Sequence, residues 1–161
     1  MLYKCNGNVY DLGRKWEKVG KMFFGSFVYS IDNKGRLVIP SKFRLAIGAT
    51  LYALRGYDKC LSIYPEAAFE KLQHEIESLN FHSKASRDFI RVALGSTMEL
   101  TIDDHGRIQI PTKTANQYQL SGSVVVVGVH DHIEIWSEKA WDEYREKADA
   151  EFETTSEGLV R

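Results

Sequence analysis

Two arginines, Arg36 and Arg107, each directly follow a glycine that ends a short polar stretch, and each is followed six residues later by a lysine, Lys42 and Lys113. A guanidinium is a flat fork of N–H donors that stays charged at any physiological pH. It can grip a phosphate or make paired hydrogen bonds to the O6 and N7 edge of guanine. A lysine supplies a mobile point charge that suits phosphate. In "IDNKGRLVIPSKFR", residues 31–44, Lys34 and Arg44 add two more cations against the single acid Asp32. Side chains of this kind point to a polyanion as partner.

Signs of catalysis are absent by comparison. The chain contains no Gly-rich phosphate loop followed by Lys and Ser/Thr, no HExxH, no GxSxG and no carboxylate pair that recurs in both halves. The most metal-like set is "HDHIE", with His130, His132 and Glu134 alternating. Its counterpart in the first half, "DKCLS", carries no matching ligands, and a turn between strands is commonly polar. His74 and His82 stand alone, and Cys5 and Cys60 have no companion at metal or redox spacing, which suits a reducing compartment. No enzyme activity, cofactor, metal or small-molecule substrate is expected.

The elements that hold the arginines are duplicated. Residues 102–115 read "IDDHGRIQIPTKTA", identical to 31–44 at seven aligned positions: Ile31/Ile102, Asp32/Asp103, Gly35/Gly106, Arg36/Arg107, Ile39/Ile110, Pro40/Pro111 and Lys42/Lys113. "LSIYPEAAFEKL" from Leu61 then matches "IEIWSEKAWDEY" from Ile133, and Gly56 matches Gly128. In the first copy "FFGSFVYSI" and "RLVIP" read as strands joined by the turn "DNKG". Asp32 can accept hydrogen bonds from the turn backbone, and Gly35 can take the left-handed conformation that closes it. "PSKFRLAIG" reads as a short helix with Pro40 at its first turn and Gly48 at its stop, followed by strands "TLYALRG" and "CLSIYP".

The second copy repeats this plan as "MELTI", "DDHG" with Asp103 and Gly106, "RIQIP", a short helix at 111–118, "VVVVGV" and "HIEIW". Longer helices are expected at 65–80, continuing at 83–94, and at 137–153, with stripes Phe69, Leu72, Ile76, Leu79 and Trp141, Tyr144 facing the strands. The organisation is an N-terminal extension 1–21, repeat 26–68, connecting helices 69–96, repeat 97–140, and a C-terminal helix and acidic tail 141–161. No Pro-rich or Gly/Ser-rich linker divides the repeats, so one shared core is expected. The extension shows neither helical nor alternating periodicity. "KWEKVGK" before Met22 reads as a translated ribosome-binding leader, with Met22 as the native start.

A chain of 161 residues with 43% hydrophobic residues can bury a substantial core. Its longest apolar run, "VVVVGV", is far short of a membrane span, so the protein is expected to be cytoplasmic and free of membranes. Net charge is −1, yet 31–44 sums to +3 while 131–161 holds ten acids against four bases. One end is suited to meet anions. The alternative reading is that the tips are polar only because turns face water, but both copies keep Gly-Arg and Pro-Ser/Thr-Lys while Val38/Gln109 and Phe43/Thr114 differ.

"DNKGRLVIPSKFR" and "DDHGRIQIP" resemble the AbrB-like, swapped-hairpin DNA-binding motif. Two copies, opening at "MFFGSFVYSIDNKGR" and closing with "VVVVGVHDHIEIWSEKAWDEY", look like the MraZ transcriptional regulators over about residues 22–155. The resemblance implies an α+β fold: a β-rich swapped-hairpin barrel formed by two internal repeats, with packed helices after each repeat. It further implies a nucleoid-associated, ring-shaped homo-oligomer that binds tandem promoter repeats on double-stranded DNA and represses the division and cell-wall gene cluster. Lys34, Arg36, Lys42, Arg44, Arg107 and Lys113 match the family's DNA-binding surface, with Asp32, Gly35, Asp103 and Gly106 as structural turn residues. His105 stands where the first copy has Lys34, and Asp104 is beside it, so the first repeat is expected to dominate phosphate contact. The alternative is an antitoxin-like interaction protein that uses the same hairpin and holds a toxin through a separate tail. Two motifs and only the short acidic end "EFETTSEGLVR" weigh against it.

Overall fold

The computed structural model describes residues 2–5, 8–11 and 22–159, with side chains from Met22 onward. Strands β1 (Leu2–Cys5) and β2 (Asn8–Asp11) pair with each other in a separate two-stranded sheet. The segment "KWEKVGK" and the start assigned to Met22 involve residues outside those described.

The first repeat consists of β3 (Phe23–Ile31), β4 (Arg36–Val38), α1 (Ser41–Ile47), β5 (Thr50–Arg55) and β6 (Leu61–Pro65). Alternation puts Phe23, Phe27, Tyr29 and Ile31 of β3 against the core and leaves Phe24, Ser26, Val28 and Ser30 outside. α1 starts directly after Pro40, whose missing N–H costs nothing at a helix start, and stops at Gly48 with φ of 80°. α2 (Glu66–Glu77) and α3 (Lys84–Gly95) follow as two helices, because the Ser83 side chain accepts from Ser86 N and begins α3 afresh.

The second repeat has β7 (Met98–Thr101), β8 (Arg107–Gln109), α4 (Thr112–Gln117), β9 (Gly122–His130) and β10 (His132–Ser137), then α5 (Glu138–Leu159). α5 runs past the expected helix end, so the stretch expected as an acidic tail is helical up to Leu159. Glu, Ala and Lys are good helix formers, no proline interrupts them, and Lys139–Glu143 and Arg145–Asp149 pair one turn apart.

Eight antiparallel strands run β7-β5-β6-β10-β9-β3-β4-β8 in a nearly closed barrel. The repeats interlock. β3 pairs along its whole length with β9, from Phe23↔His130 to Ile31↔Gly122, and the equivalent first strand of repeat two, β7, pairs with β5. β4 pairs with β8 and β6 with β10, so neither repeat could complete its sheet alone. Leu37, Ile39, Phe43, Leu51 and Ile63 from one repeat and Ile108, Ile110, Val126, Ile133 and Ile135 from the other fill one core. Each such side chain contributes roughly 1.5–3 kcal/mol by leaving water. No described helix is long and apolar enough to cross a membrane.

Candidate nucleic-acid interface

Both hairpin turns are built alike. In the first, Gly35 N donates to Asp32 O at 2.9 Å and Asp32 N to Arg36 O at 3.1 Å, with Gly35 at φ of 75°. In the second, Gly106 N donates to Asp103 O at 2.9 Å and Asp103 N to Arg107 O at 2.8 Å, with Gly106 at φ of 72°. Each aspartate uses one carboxylate oxygen for the turn: Asp32 Oδ1 accepts from Lys34 N and Arg36 N at 2.9 Å each, and Asp103 Oδ1 accepts from His105 N and Arg107 N at the same distance. Both acids thus accept from the backbone of their own turn.

Their other oxygens hold the arginines, a link that sequence reasoning missed. Arg36 Nε donates to Asp32 Oδ2 at 2.6 Å, and Arg107 Nε and Nη2 both approach Asp103 Oδ2 at 2.8 Å. Asp-x-x-Gly-Arg is thus one unit in which the residue that closes the turn also aims the guanidinium. The Arg107 side chain, then its backbone N–H, holds the Asp103 carboxyl down at about 2. Asp32 is also lowered, chiefly by the Arg36 backbone N–H. Pre-aiming an arginine reduces the rotamer entropy it would lose on binding a ligand.

Strand pairing then brings the two arginines together. In the ribbon of β4 and β8, Arg36 lies opposite Gln109, Leu37 opposite Ile108 and Val38 opposite Arg107. Ile39 N donates to Gly106 O at 2.9 Å and Ile110 N to Gly35 O at 2.8 Å, extending the ladder into both turns. Leu37 and Ile108 point into the core, so Arg36, Val38, Arg107 and Gln109 share the outer face. Arg36 and Arg107 are diagonal neighbours there, about 7–8 Å apart in antiparallel geometry. Two strands fit within a major groove about 12 Å wide.

The flanking cations are placed less uniformly than expected. Lys34 is exposed at the first tip and Lys113 is exposed on α4. Lys42 Nζ sits 3.5 Å from the Phe24 ring centroid, which ties it to the outer face of β3. Arg44 Nε donates to Ile39 O at 2.8 Å, and its side chain lies so close to Gly106 that a β-carbon there would stand 2.7 Å from Nε. Arg44 therefore braces the turn of the other repeat, a task its counterpart, the buried Ala115, cannot perform. Gln109 is a further residue the sequence reading passed over, because its counterpart is Val38. Its outward position between inward Ile108 and Ile110 was the available signal, and its Nε2 donates to Lys34 O at 3.3 Å.

Of the most metal-like set, His132 and Glu134 are occupied by local partners. His132 stacks on Tyr64 with 4.3 Å between ring centroids, and its Nδ1 lies 2.8 Å from Asp131 Oδ1. Its Nε2 lies 3.8 Å from Glu134 Oε1, while Glu134 accepts from Trp136 Nε1 at 3.0 Å. Burial pushes His132 down, but the Glu134 and Asp131 carboxylates more than offset this and its proton is held above the ordinary histidine range. Among the described residues no group of three His, Cys, Asp or Glu is placed to hold a metal. His74 pairs with Glu77 at the surface, His82 is exposed, and Cys60 is buried with its thiol pushed up to about 12 by desolvation.

The family model described as "MraZ protein, putative antitoxin-like" matches residues 22–92 and again 93–161. The chain is 37% identical over 139 residues to a protein of Natranaerobius thermophilus named "Transcriptional regulator MraZ", covering 86% of this chain and 97% of the relative. A protein of the same name from Desulforamulus reducens is 37% identical over 139 residues, covering 86% and 98%, and one from Halothermothrix orenii is 38% identical over 132 residues, covering 82% and 92%.

Proposed function

The chain belongs to the MraZ family, and from that membership together with its arginine-bearing ribbon we propose that it is a sequence-specific DNA-binding transcriptional regulator. The observation that carries this reading is the placement of Arg36 and Arg107, each aimed by a turn aspartate, on the outer face of one two-stranded ribbon. In this reading the ribbon enters the major groove. Arg36 and Arg107 meet guanine edges or phosphates, and Lys34, Lys42, Arg44 and Lys113 meet the flanking phosphates. Gln109, whose amide can pair with adenine, adds base discrimination on the second-repeat side.

The finer reading is a cytoplasmic, nucleoid-associated repressor of the division and cell-wall gene cluster, assembled as a ring and bound to tandem promoter repeats. A ring fits a near-neutral chain, because several weak tips meeting evenly spaced sites gain avidity without a large basic area on each subunit. A gel shift of the DNA upstream of the protein's own gene tests it. The expected result is retention of the native sequence over a scrambled duplex, with loss in Arg36→Ala. Equal retention of both duplexes would overturn it. Absence of DNA binding combined with stable capture of the product of an adjacent small gene would favour the antitoxin-like reading instead.

A further inference from the structure

The outer face of the β4–β8 ribbon almost repeats itself under a half-turn. Two antiparallel strands share a local twofold axis through the sheet, and here it passes where Leu37 faces Ile108. The half-turn lays Arg36 on Arg107, Asp32 on Asp103 and Gly35 on Gly106, and the two turns carry the same hydrogen bonds. The remaining outward pair breaks the match. Val38, half-buried, falls on Gln109, exposed, so an apolar side chain takes the place of an amide.

Each of these two side chains fits a different base edge in the major groove. Adenine shows an N7 acceptor and an N6–H donor, which one amide can meet together, and thymine shows its 5-methyl group, which takes an apolar contact. Gln109 Nε2 donates to Lys34 O at 3.3 Å. That bond still leaves one N–H and the acceptor oxygen of the amide for an adenine. Val38 offers a polar edge nothing, and it sits two residues along β4 from Arg36 and opposite Arg107. Two residues along a strand cover about 7 Å, close to two base-pair steps of roughly 3.4 Å, so these side chains face neighbouring base pairs.

We propose that Val38 is a specificity-determining residue that takes the 5-methyl group of a thymine, and that Val38 and Gln109 together give the DNA site a direction. The inference rests on the DNA-binding reading above. A ribbon with the same residue at both positions would look alike after the half-turn and would favour a palindrome. With one of each, Gln109 takes an adenine on one strand, and Val38 takes a thymine where the half-turn would have placed a second adenine. The two A·T pairs then run in the same sense, with both adenines on one strand.

The test starts from binding-site selection with the full chain and a randomised duplex. Each thymine of the selected site is then replaced in turn by uracil, which lacks the 5-methyl and keeps every hydrogen-bonding group, and binding is followed by fluorescence anisotropy. Wild type is expected to select a site that is not a palindrome and to lose about fourfold in affinity at one thymine, the worth of one buried methyl. Val38→Gln, which puts an amide at both positions, is expected to select inverted A·T pairs and to ignore uracil. The scan on wild type needs no variant, so it decides even where Val38→Gln folds poorly. Wild-type binding that ignored every uracil, or a uracil effect that persisted in Val38→Gln, would overturn the role of Val38 while leaving the DNA-binding reading in place. Failure of wild type to retain any duplex would remove that reading, and this inference with it.

Discussion

A β-carbon on Gly35 would stand 2.1 Å from the carbonyl oxygen of Ile110, in the other repeat, whose N–H donates to the Gly35 carbonyl at 2.8 Å. The first turn is thus shaped by its neighbour as much as by its own φ of 75°. Gly106 has a similar φ, but the space its β-carbon would take is filled by the Arg44 side chain, which can move.

Gly35→Ala is therefore expected to destabilise by more than about 2 kcal/mol and Gly106→Ala by about 1 kcal/mol. Urea unfolding monitored by tryptophan fluorescence separates them. Equal losses would mean that left-handed backbone strain alone decides both positions.

The turn aspartates predict an acid-sensitive component of stability. Both folded-state pKa values lie below the ordinary carboxylate value, so their contribution is full above pH about 4 and is lost as pH falls toward about 2, where Asp103 protonates. The gap in urea midpoint between wild type and Asp103→Asn should be open at pH 7 and shrink across that window. A gap that stayed constant down to pH 2 would show that the Asp103–Arg107 pair adds nothing.

Burial of Cys60, which pushes its thiol up to about 12, predicts a silent cysteine. In a Cys5→Ser background, a thiol-reactive chromogenic disulfide at pH 8 should label the folded protein at least about a hundredfold more slowly than the denatured chain. Rapid labelling of the folded protein would contradict the packing of Cys60 against Val125 and Trp136.

Most of the barrel was legible in the sequence because its signals are local. Alternation marked β3, "DNKG" and "DDHG" marked turns, and Pro40 and Pro111 marked the starts of α1 and α4. The duplication also implied a shared core, since no linker divides the halves. What stayed hidden depends on contacts between the repeats. No local pattern reveals that β4 pairs with β8, which sets the outward Gln109 opposite Arg36, or that Arg44 braces Gly106. The Asp32–Arg36 and Asp103–Arg107 pairs were within reach, since four residues across a tight turn bring side chains together, but the acids were assigned to the turn backbone alone.

Gln109 predicts a split between affinity and specificity. Gln109→Val, which restores the residue type of the first repeat, should relax preference at one base pair of the operator by about 1–3 kcal/mol while leaving the salt slope unchanged. Binding-site selection from a randomised duplex, paired with a salt titration, reads both. An unchanged selected sequence would confine Gln109 to its bond with Lys34 O.

The central claim, that the β4–β8 ribbon is the DNA contact and its first-repeat side the stronger one, is tested most directly by fluorescence anisotropy. The titration uses the upstream duplex across a salt series with wild type, Arg36→Ala and Arg107→Ala. Wild-type affinity should fall linearly on logarithmic axes with salt. Arg36→Ala should weaken binding by about tenfold or more and flatten the slope, and Arg107→Ala should do so less, because Lys34 stands beside Arg36 while Asp104 and His105 stand beside Arg107. Equal losses in the two variants would contradict the asymmetry. Binding that ignored both salt and the substitutions would contradict the ribbon as the DNA-binding surface.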